Sequence, residues 1–116
     1  MDIRRVQPME YSDELIQAVW EKGRAMPGRN GEEWRQDQCG AWLNRDQYGN
    51  DRSEFGWKIL NVVPGGAAKA DGLQPFHCKN SFDLAIGKAH CRVSADRSGL
   101  GPTQQVDQPR NTSSSE

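Results

Sequence analysis

Residues 39–63, CGAWLNRDQYGNDRSEFGWKILNVV, decide the fold that this sequence predicts. Small, apolar and aromatic residues at 39–44 and β-branched and aromatic residues at 55–63 are typical of two strands. Residues 45–53 between them are rich in Asn, Asp and Gly, which favour turns. We therefore predict a two-stranded hairpin made of residues 39–44 and 55–63.

A helix is predicted before the hairpin, at residues 12–24 (SDELIQAVWEKGR). Ser12 is a suitable N-cap, and acidic residues follow it in the first turn, where the helix dipole favours negative charge. The apolar residues recur at helical spacing and form one stripe. These are Leu15, Ile16, Val19 and Trp20.

A second helix is predicted after the hairpin, at residues 72–86 (GLQPFHCKNSFDLAI), with Pro75 near its start. Residues 28–38 are polar and are predicted to be irregular. A short terminal strand is predicted at residues 90–95. The expected fold class is a small α+β unit: an N-terminal helix, a hairpin and a C-terminal helix.

Length and composition predict one domain. The chain has 116 residues, of which 34% are hydrophobic, with 15 basic and 16 acidic residues. This balance excludes a strongly basic nucleic-acid binder of the histone type. We divide the chain into an N-terminal arm (1–11), one structured domain (12–95) and a tail (96–116) that is predicted to be disordered, because it is too polar to offset its ordering entropy.

Cysteine usage and hydropathy predict a cytoplasmic protein. Cys39, Cys78 and Cys91 are too few and too scattered for a disulfide scaffold, so reduced thiols are expected. Zinc binding by these cysteines is a less favoured interpretation, because two zinc ligands need a sequence spacing that directs both side chains at one ion. No apolar stretch approaches the roughly 20 residues that span a bilayer, and no secretory signal is expected.

Several short motifs, taken together, resemble an HNH endonuclease-type domain. They are residues 34–42 (WRQDQCGAW), the turn at 48–50 (YGN), residues 55–61 (FGWKILN) and residues 72–80 (GLQPFHCKN). The resemblance covers about residues 12–90 and is to small bacterial members without a zinc knuckle. It implies metal-dependent hydrolysis of nucleic-acid phosphodiesters by a His base, a neighbouring acid, a loop Asn and a ligand on the last helix.

The sequence departs from that motif at each catalytic position. Leu60 and Asn61 stand where the acid and His belong, Gly72 replaces the loop Asn, and Ser81 replaces the helical ligand. An aliphatic group cannot ligate a hard cation, and an amide cannot accept a proton near neutral pH. The resemblance therefore implies a degenerate domain that has lost its enzyme activity and needs no cofactor.

His77 is the residue that could rescue the lost base, although a packing role is the simpler interpretation for it. With it, the alternative function is a divergent endonuclease that uses a divalent cation such as Mg²⁺ or Zn²⁺. If His77 does not replace the base, we expect a module that binds DNA weakly or binds a protein partner. We expect no interaction with a membrane. The residues expected to contact nucleic-acid phosphates are Arg35, Arg45, Lys58 and Lys79.

Overall fold

The structure, a computed structural model, describes residues 11–63, 72–97 and 108–113. Its described part contains one α-helix, a short 3-10 helix and eight short strands. In chain order they are α1 (Asp13–Trp20), β1 (Trp34–Gln36), β2 (Trp42–Asn44), the 3-10 helix (Arg45–Gln47), β3 (Trp57–Asn61), β4 (Leu73–His77), β5 (Ser81–Asp83), β6 (Lys88–His90), β7 (Val93–Ala95) and β8 (Asn111–Ser113).

The strands pair as four separate antiparallel ladders within these residues: β1 with β2, β3 with β4, β5 with β6, and β7 with β8. The longest ladder runs from Trp57 opposite His77 to Asn61 opposite Leu73. Because a two-stranded sheet is marginal alone in water, the ladders depend on contacts with one another and with α1.

Helix α1 confirms the predicted start of the first helix. The Ser12 hydroxyl accepts the Leu15 N–H at 3.1 Å, as an N-cap does. The helix ends at Trp20, earlier than predicted, because the Gly23 N–H bonds to the Trp20 carbonyl and tightens the chain into a turn.

The core forms where α1 packs on the β3–β4 ladder. The rings of Trp20 and Trp57 are both fully buried, with centroids 5.2 Å apart. Trp20, predicted in the apolar stripe of the first helix, is therefore part of the core, and Trp42 is buried as well. Trp34 is half-buried and meets the Phe55 ring edge-to-face at 4.8 Å. In a small domain poor in aliphatic residues, aromatic rings supply most of the apolar area.

The predicted hairpin is wrong in its pairing. Residues near both predicted strands are extended, but β2 pairs with β1 and β3 pairs with β4. Strand β1 lies in the stretch predicted to be irregular. The four-residue turn from Asp37 to Gly40, with Gly40 at φ 84°, joins β1 to β2. This closure is shorter than the one from residue 44 to residue 55 and costs less chain entropy.

The predicted C-terminal helix, and with it the predicted α+β unit, is also wrong. Residues 72–86 form β4 and β5 instead, and Pro75 lies in β4 opposite Ile59. Proline is tolerated there because β4 has a partner on one side only within the described chain. Leu73 and Phe76 are buried in β4, and the pairing of β4 with β3 decided the outcome.

The cysteine prediction is wrong for two of the three residues. Cys39 and Cys91 form a disulfide with Cα atoms 5.5 Å apart, and Cys78 is a free, half-buried thiol. The spacing of 52 residues gave no sign of this pairing, because only the fold brings the two turns together. A zinc site that uses the Cys39 and Cys91 thiolates is therefore incompatible with this state.

The tail prediction is wrong at residues 108–113. Asn111–Ser113 forms β8 and pairs with Val93–Ala95, so part of the tail is an element of the fold. The strand predicted at residues 90–95 is confirmed as β7 over its last three residues. Residues 98–107 and 114–116, and residues 1–10 of the predicted arm, lie outside the described residues.

Candidate functional site

Three of the four positions matched to the HNH motif lie at one end of the β3–β4 ladder. Asn61 pairs with Leu73, and the Val62 N–H donates to the Gly72 carbonyl at 2.9 Å. A Cβ atom added to Gly72 would lie 3.1 Å from Asn61 Oδ1. Leu60 precedes Asn61 on the same strand and is half-buried. The ladder therefore brings these three positions together.

The side chains at this end of the ladder carry few reactive groups. Asn61 Oδ1 accepts the Val63 N–H at 3.0 Å, a local turn contact. An amide, an aliphatic group and a glycine provide neither a proton acceptor nor an anionic metal ligand. These three positions can hold the chain in shape, but they cannot activate water.

The fourth position, Ser81, is not brought to the same place by the predicted helix, which does not form. Ser81 begins β5 and pairs with His90 of β6 in a different ladder. Its side chain is exposed. The helical ligand position of the motif therefore has no equivalent in the described fold.

His77, the possible rescue base, is buried with both ring nitrogens engaged; it is only 2% exposed. Its Nδ1 lies 3.0 Å from the Lys79 backbone nitrogen, and its Nε2 lies 2.7 Å from the Glu54 carbonyl oxygen. The Lys79 N–H can only donate, so Nδ1 accepts and Nε2 carries the proton that it donates to Glu54. Burial lowers the pKa of His77, which favours this neutral form.

His77 belongs to a buried polar network that the sequence analysis missed. Asp37, 2% exposed, accepts the N–H groups of Cys39 and Ala41 on Oδ1. Its Oδ2 accepts the His77 N–H at 2.9 Å and an Asn80 amide hydrogen at 3.0 Å. The Asp and Gly of the DQCG stretch are a turn signal that could have indicated the local half of this network.

Asn80 extends the network to β7. It is fully buried, and its Oδ1 accepts the N–H groups of Arg92 and Val93 at 2.7 and 2.8 Å. Its Nδ2 donates to the Val93 carbonyl at 2.9 Å as well as to Asp37. No local sequence signal marks Asn80, because all of these partners lie at least 12 residues away in the chain.

Two of the four predicted phosphate-contacting residues have structural partners. The Arg35 guanidinium donates to the carbonyl groups of Gly31, Glu21 and Gly23 at 2.8–3.0 Å. The Arg45 Nε donates to Gln17 Oε1 at 2.9 Å, and its guanidinium carbon lies 5.9 Å from the centre of the Trp57 ring. These arginines hold α1 against the strands.

Lys58 lies opposite Phe76 in the β3–β4 ladder, and Lys79 directly follows Cys78 beyond the end of β4. The positive charges of Lys58 and Lys79 both act on the Cys78 thiol and on the His77 imidazole. Burial nevertheless raises the pKa of the Cys78 thiol, and this effect outweighs the two cations. The Cys78 thiol is therefore protonated near neutral pH, and the charged groups that act on it are Lys58, Asp51 and Lys79.

A cleft of about 520 Å³ lies beside Lys79. Its charges are mixed, with two cationic and two acidic side chains, and the His77 ring lies at its wall. The lining residues are Asp51, Arg52, Ser53, Glu54, His77, Lys79, Val93, Asn111 and Ser113. Strand β8 thus supplies one side of the cleft.

No three His, Cys, Asp or Glu side chains among residues 11–63, 72–97 and 108–113 are grouped so that they could hold a metal ion. Within the same residues, no helix has the length and apolar character needed to cross a membrane. Comparison of the chain with protein-family models, curated proteins and solved structures finds no match.

Proposed function

We propose that this protein is a degenerate relative of HNH endonucleases that works without catalysis, as a module that binds nucleic acid weakly. One observation carries the proposal. Leu60, Asn61 and Gly72, the positions that the resemblance aligns with the catalytic motif, lie together at one end of the β3–β4 ladder and provide no base and no anionic ligand. Loss of a general base alone typically lowers the rate of such a reaction by about 10²–10⁴-fold.

The environment of His77 argues against the alternative, a divergent nuclease. A general base needs a free lone pair within reach of a water molecule. The free pair on Nδ1 of His77 faces the Lys79 N–H, and Nε2 is protonated toward Glu54. His77 could act only after both contacts broke, at the cost of a buried hydrogen-bond network.

The Lys58 and Lys79 pair is the best candidate for contact with phosphates. Lys58 lies opposite Phe76 in the β3–β4 ladder, Lys79 follows the end of β4, and both charges act on His77 and Cys78. Arg35 and Arg45 are occupied by contacts within the fold. Two phosphate contacts correspond to weak binding with a modest salt dependence, since each contributes a slope of about −0.9 in log K against log salt.

The test is anisotropy titration of labelled duplex and single-stranded DNA at several salt concentrations. We expect weak binding with a slope of about −2 on duplex DNA, which Lys58→Ala with Lys79→Ala removes. Lys88→Ala is the matched control, because Lys88 is exposed on β6, in a different ladder. Binding that is insensitive to the double substitution would contradict the proposed contact surface.

A second experiment tests the absence of catalysis. Supercoiled plasmid incubated with the protein and Mg²⁺, Mn²⁺ or Zn²⁺ should remain intact. Cleavage that requires one of these ions and disappears in His77→Ala would establish the nuclease alternative instead. A fold check of that variant by circular dichroism separates lost chemistry from lost structure.

Cytoplasmic location remains a prediction, and its cysteine argument is weakened. It rested on three reduced thiols, whereas Cys39 and Cys91 are joined and Cys78 alone is free. Disulfides persist mainly in oxidising compartments. Trapping of thiols in intact cells with a mass-tagged alkylating reagent tests it: three labelled cysteines support the cytoplasm, and one supports an oxidising compartment.

A further inference from the structure

Strand β8 is held on the fold in the way that a bound peptide is held. It pairs antiparallel with β7, with Ala95 opposite Asn111 and Val93 opposite Ser113. The Asp96 N–H extends the ladder with a bond of 2.7 Å to the Arg110 carbonyl. We call the site that receives it the β7 groove, formed by the backbone edge of Val93–Ala95, the Trp42 backbone and Glu54.

The groove forms hydrogen bonds with both polar atoms of the Asn111 side chain. Its Oδ1 accepts the Trp42 N–H at 2.8 Å, and its Nδ2 donates to the Trp42 carbonyl at 3.0 Å and to the Glu54 carbonyl at 2.8 Å. Its backbone N–H donates to Glu54 Oε2 at 2.7 Å. The groove therefore distinguishes Asn from Asp, which lacks the donor, and from apolar residues, which lack both.

Pro109 provides a second recognised position. It is buried, while Gln108 and Arg110 on either side are exposed, as the alternation of an extended strand requires. Proline suits such a position because it has no N–H to satisfy. The Arg110 guanidinium lies 3.7 Å from Glu54 Oε2 and is exposed, so it adds little binding energy. The recognised pattern is Pro-x-Asn in extended form.

The groove is organised independently of β8. Asn80 binds the N–H and carbonyl of Val93, and the Gly40 carbonyl accepts the Ala95 N–H at 3.0 Å. These contacts lie on the edge of β7 opposite β8, because alternate N–H groups of a strand point to opposite sides. The Cys39–Cys91 disulfide ties the Gly40 turn to the chain just before β7.

Strand β8 is attached mainly by polar contacts. Its ladder is three residues long, Thr112 and Ser113 are exposed, and Pro109 is the buried apolar side chain among residues 108–113. If β8 leaves, β7 presents an unpaired edge beside the Trp42 and Glu54 groups that bind Asn111. Addition of an extended peptide to such an edge is a common mode of recognition.

We propose that the β7 groove is a docking site for an extended Pro-x-Asn segment of a partner protein, and that residues 109–111 occupy it in competition. This interaction is separate from the proposed nucleic-acid binding, because it uses neither Lys58 nor Lys79. A partner can bind only the molecules in which β8 is detached, so its apparent affinity is its intrinsic affinity multiplied by that fraction.

The test uses the full-length chain and a fluorescein-labelled peptide with the sequence of residues 107–113, DQPRNTS. Asn111→Ala in the chain removes three side-chain contacts of β8 and opens the groove. We expect this variant to bind the peptide at least tenfold more tightly than the wild-type chain. A peptide with Ala in place of the Asn should bind neither protein, and Thr112→Ala in the chain should behave as wild type.

A folded Asn111→Ala chain that does not bind the peptide would overturn the proposal, as would equal binding of the Asn and Ala peptides. If that variant does not fold, nuclear magnetic resonance of the labelled wild-type chain decides. At millimolar peptide, the Thr112 signal should shift to its detached position. No shift, or a dimer formed by exchange of β8 between copies, would contradict a foreign partner. Lys58→Ala with Lys79→Ala should leave peptide binding unchanged, so the two proposals fail separately.

Discussion

At the scale of single residues, Asp37 shows how a short polar side chain organises a small fold. Its two carboxylate oxygens accept four hydrogen bonds from residues 39, 41, 77 and 80. It therefore joins the β1–β2 turn to the end of β4 and to Asn80. The sequence alone does not distinguish Asp37 from the other acidic residues, because it does not show whether an Asp side chain is solvated or buried.

Asp37→Ala should destabilise the fold strongly. The substitution leaves buried donors without an acceptor, and each costs about 1–3 kcal/mol. We expect a loss of 3 kcal/mol or more in the free energy of unfolding, measured in urea. Asp46→Ala, at an exposed position of the 3-10 helix, should change it by less than about 0.5 kcal/mol. Equal effects of the two substitutions would contradict the role of Asp37.

The stability of the fold should fall on mild acidification because of His77. Burial lowers its pKa below the ordinary value of 6.5, so between these two values the unfolded chain binds more protons than the folded one. Stability is therefore complete above about pH 6.5 and declines as pH falls through that value, by at most about 1.4 kcal/mol per pH unit for one proton.

Urea unfolding between pH 7.5 and pH 5.5 measures this dependence. His77→Asn should flatten the slope, although the variant is less stable throughout. His90→Asn is the matched control, since His90 is the other histidine of the chain and is exposed on β6. A slope that disappears in the His90 variant and persists in the His77 variant would refute the assignment.

At the scale of secondary-structure elements, local signals were sufficient for α1 and insufficient for the strands. The Ser12 cap and the apolar stripe of α1 act within a few residues, so sequence reveals them. Strand partners are chosen by contacts far apart in the chain. Leu73–His77 could pair with β3 or turn as a helix, and only the buried position of Phe76 and His77 in the fold selects the strand.

Gly56, at the start of β3, is an element-scale requirement that the sequence did not predict. A Cβ atom at this position would overlap the Asn50 carbonyl, part of the backbone of the preceding turn. We expect Gly56→Ala to cost more than about 3 kcal/mol or to prevent folding, as measured by thermal unfolding. Gly49→Ala provides the comparison: Gly49 has φ 77° and open space around it, so only backbone strain of about 1–2 kcal/mol applies. Similar costs for the two would contradict the close approach.

At the scale of the whole molecule, four small ladders are held together by a modest core and a few long-range links. The α1–β3–β4 core accounts for most of the buried apolar residues. Strands β7 and β8 depend instead on Asn80, Asn111 and the disulfide. This division separates a firmly packed N-terminal part from a more polar C-terminal part.

Reduction of the Cys39–Cys91 disulfide should lower the stability of the molecule. A crosslink across 52 residues restricts the unfolded chain by about 4 kcal/mol in the chain-entropy account, and measured values are usually 2–4 kcal/mol. Urea unfolding with and without dithiothreitol should show this loss, and Cys39→Ser with Cys91→Ser should abolish the difference. Cys78→Ser should retain it, because Cys78 is free. An unchanged midpoint on reduction of the wild-type chain would argue against the crosslink.

The sequence by itself determined those features whose energy is local: the Ser12 cap, the apolar face of α1, the extended character around residues 42–44 and 57–61, and the absence of catalytic groups at residues 60, 61 and 72. Only the tertiary structure decided which strands pair, that Cys39 meets Cys91, that β8 closes on β7, and that His77 is enclosed. Those features depend on groups that are distant in the chain, and their free energy exists only once the chain has brought them together.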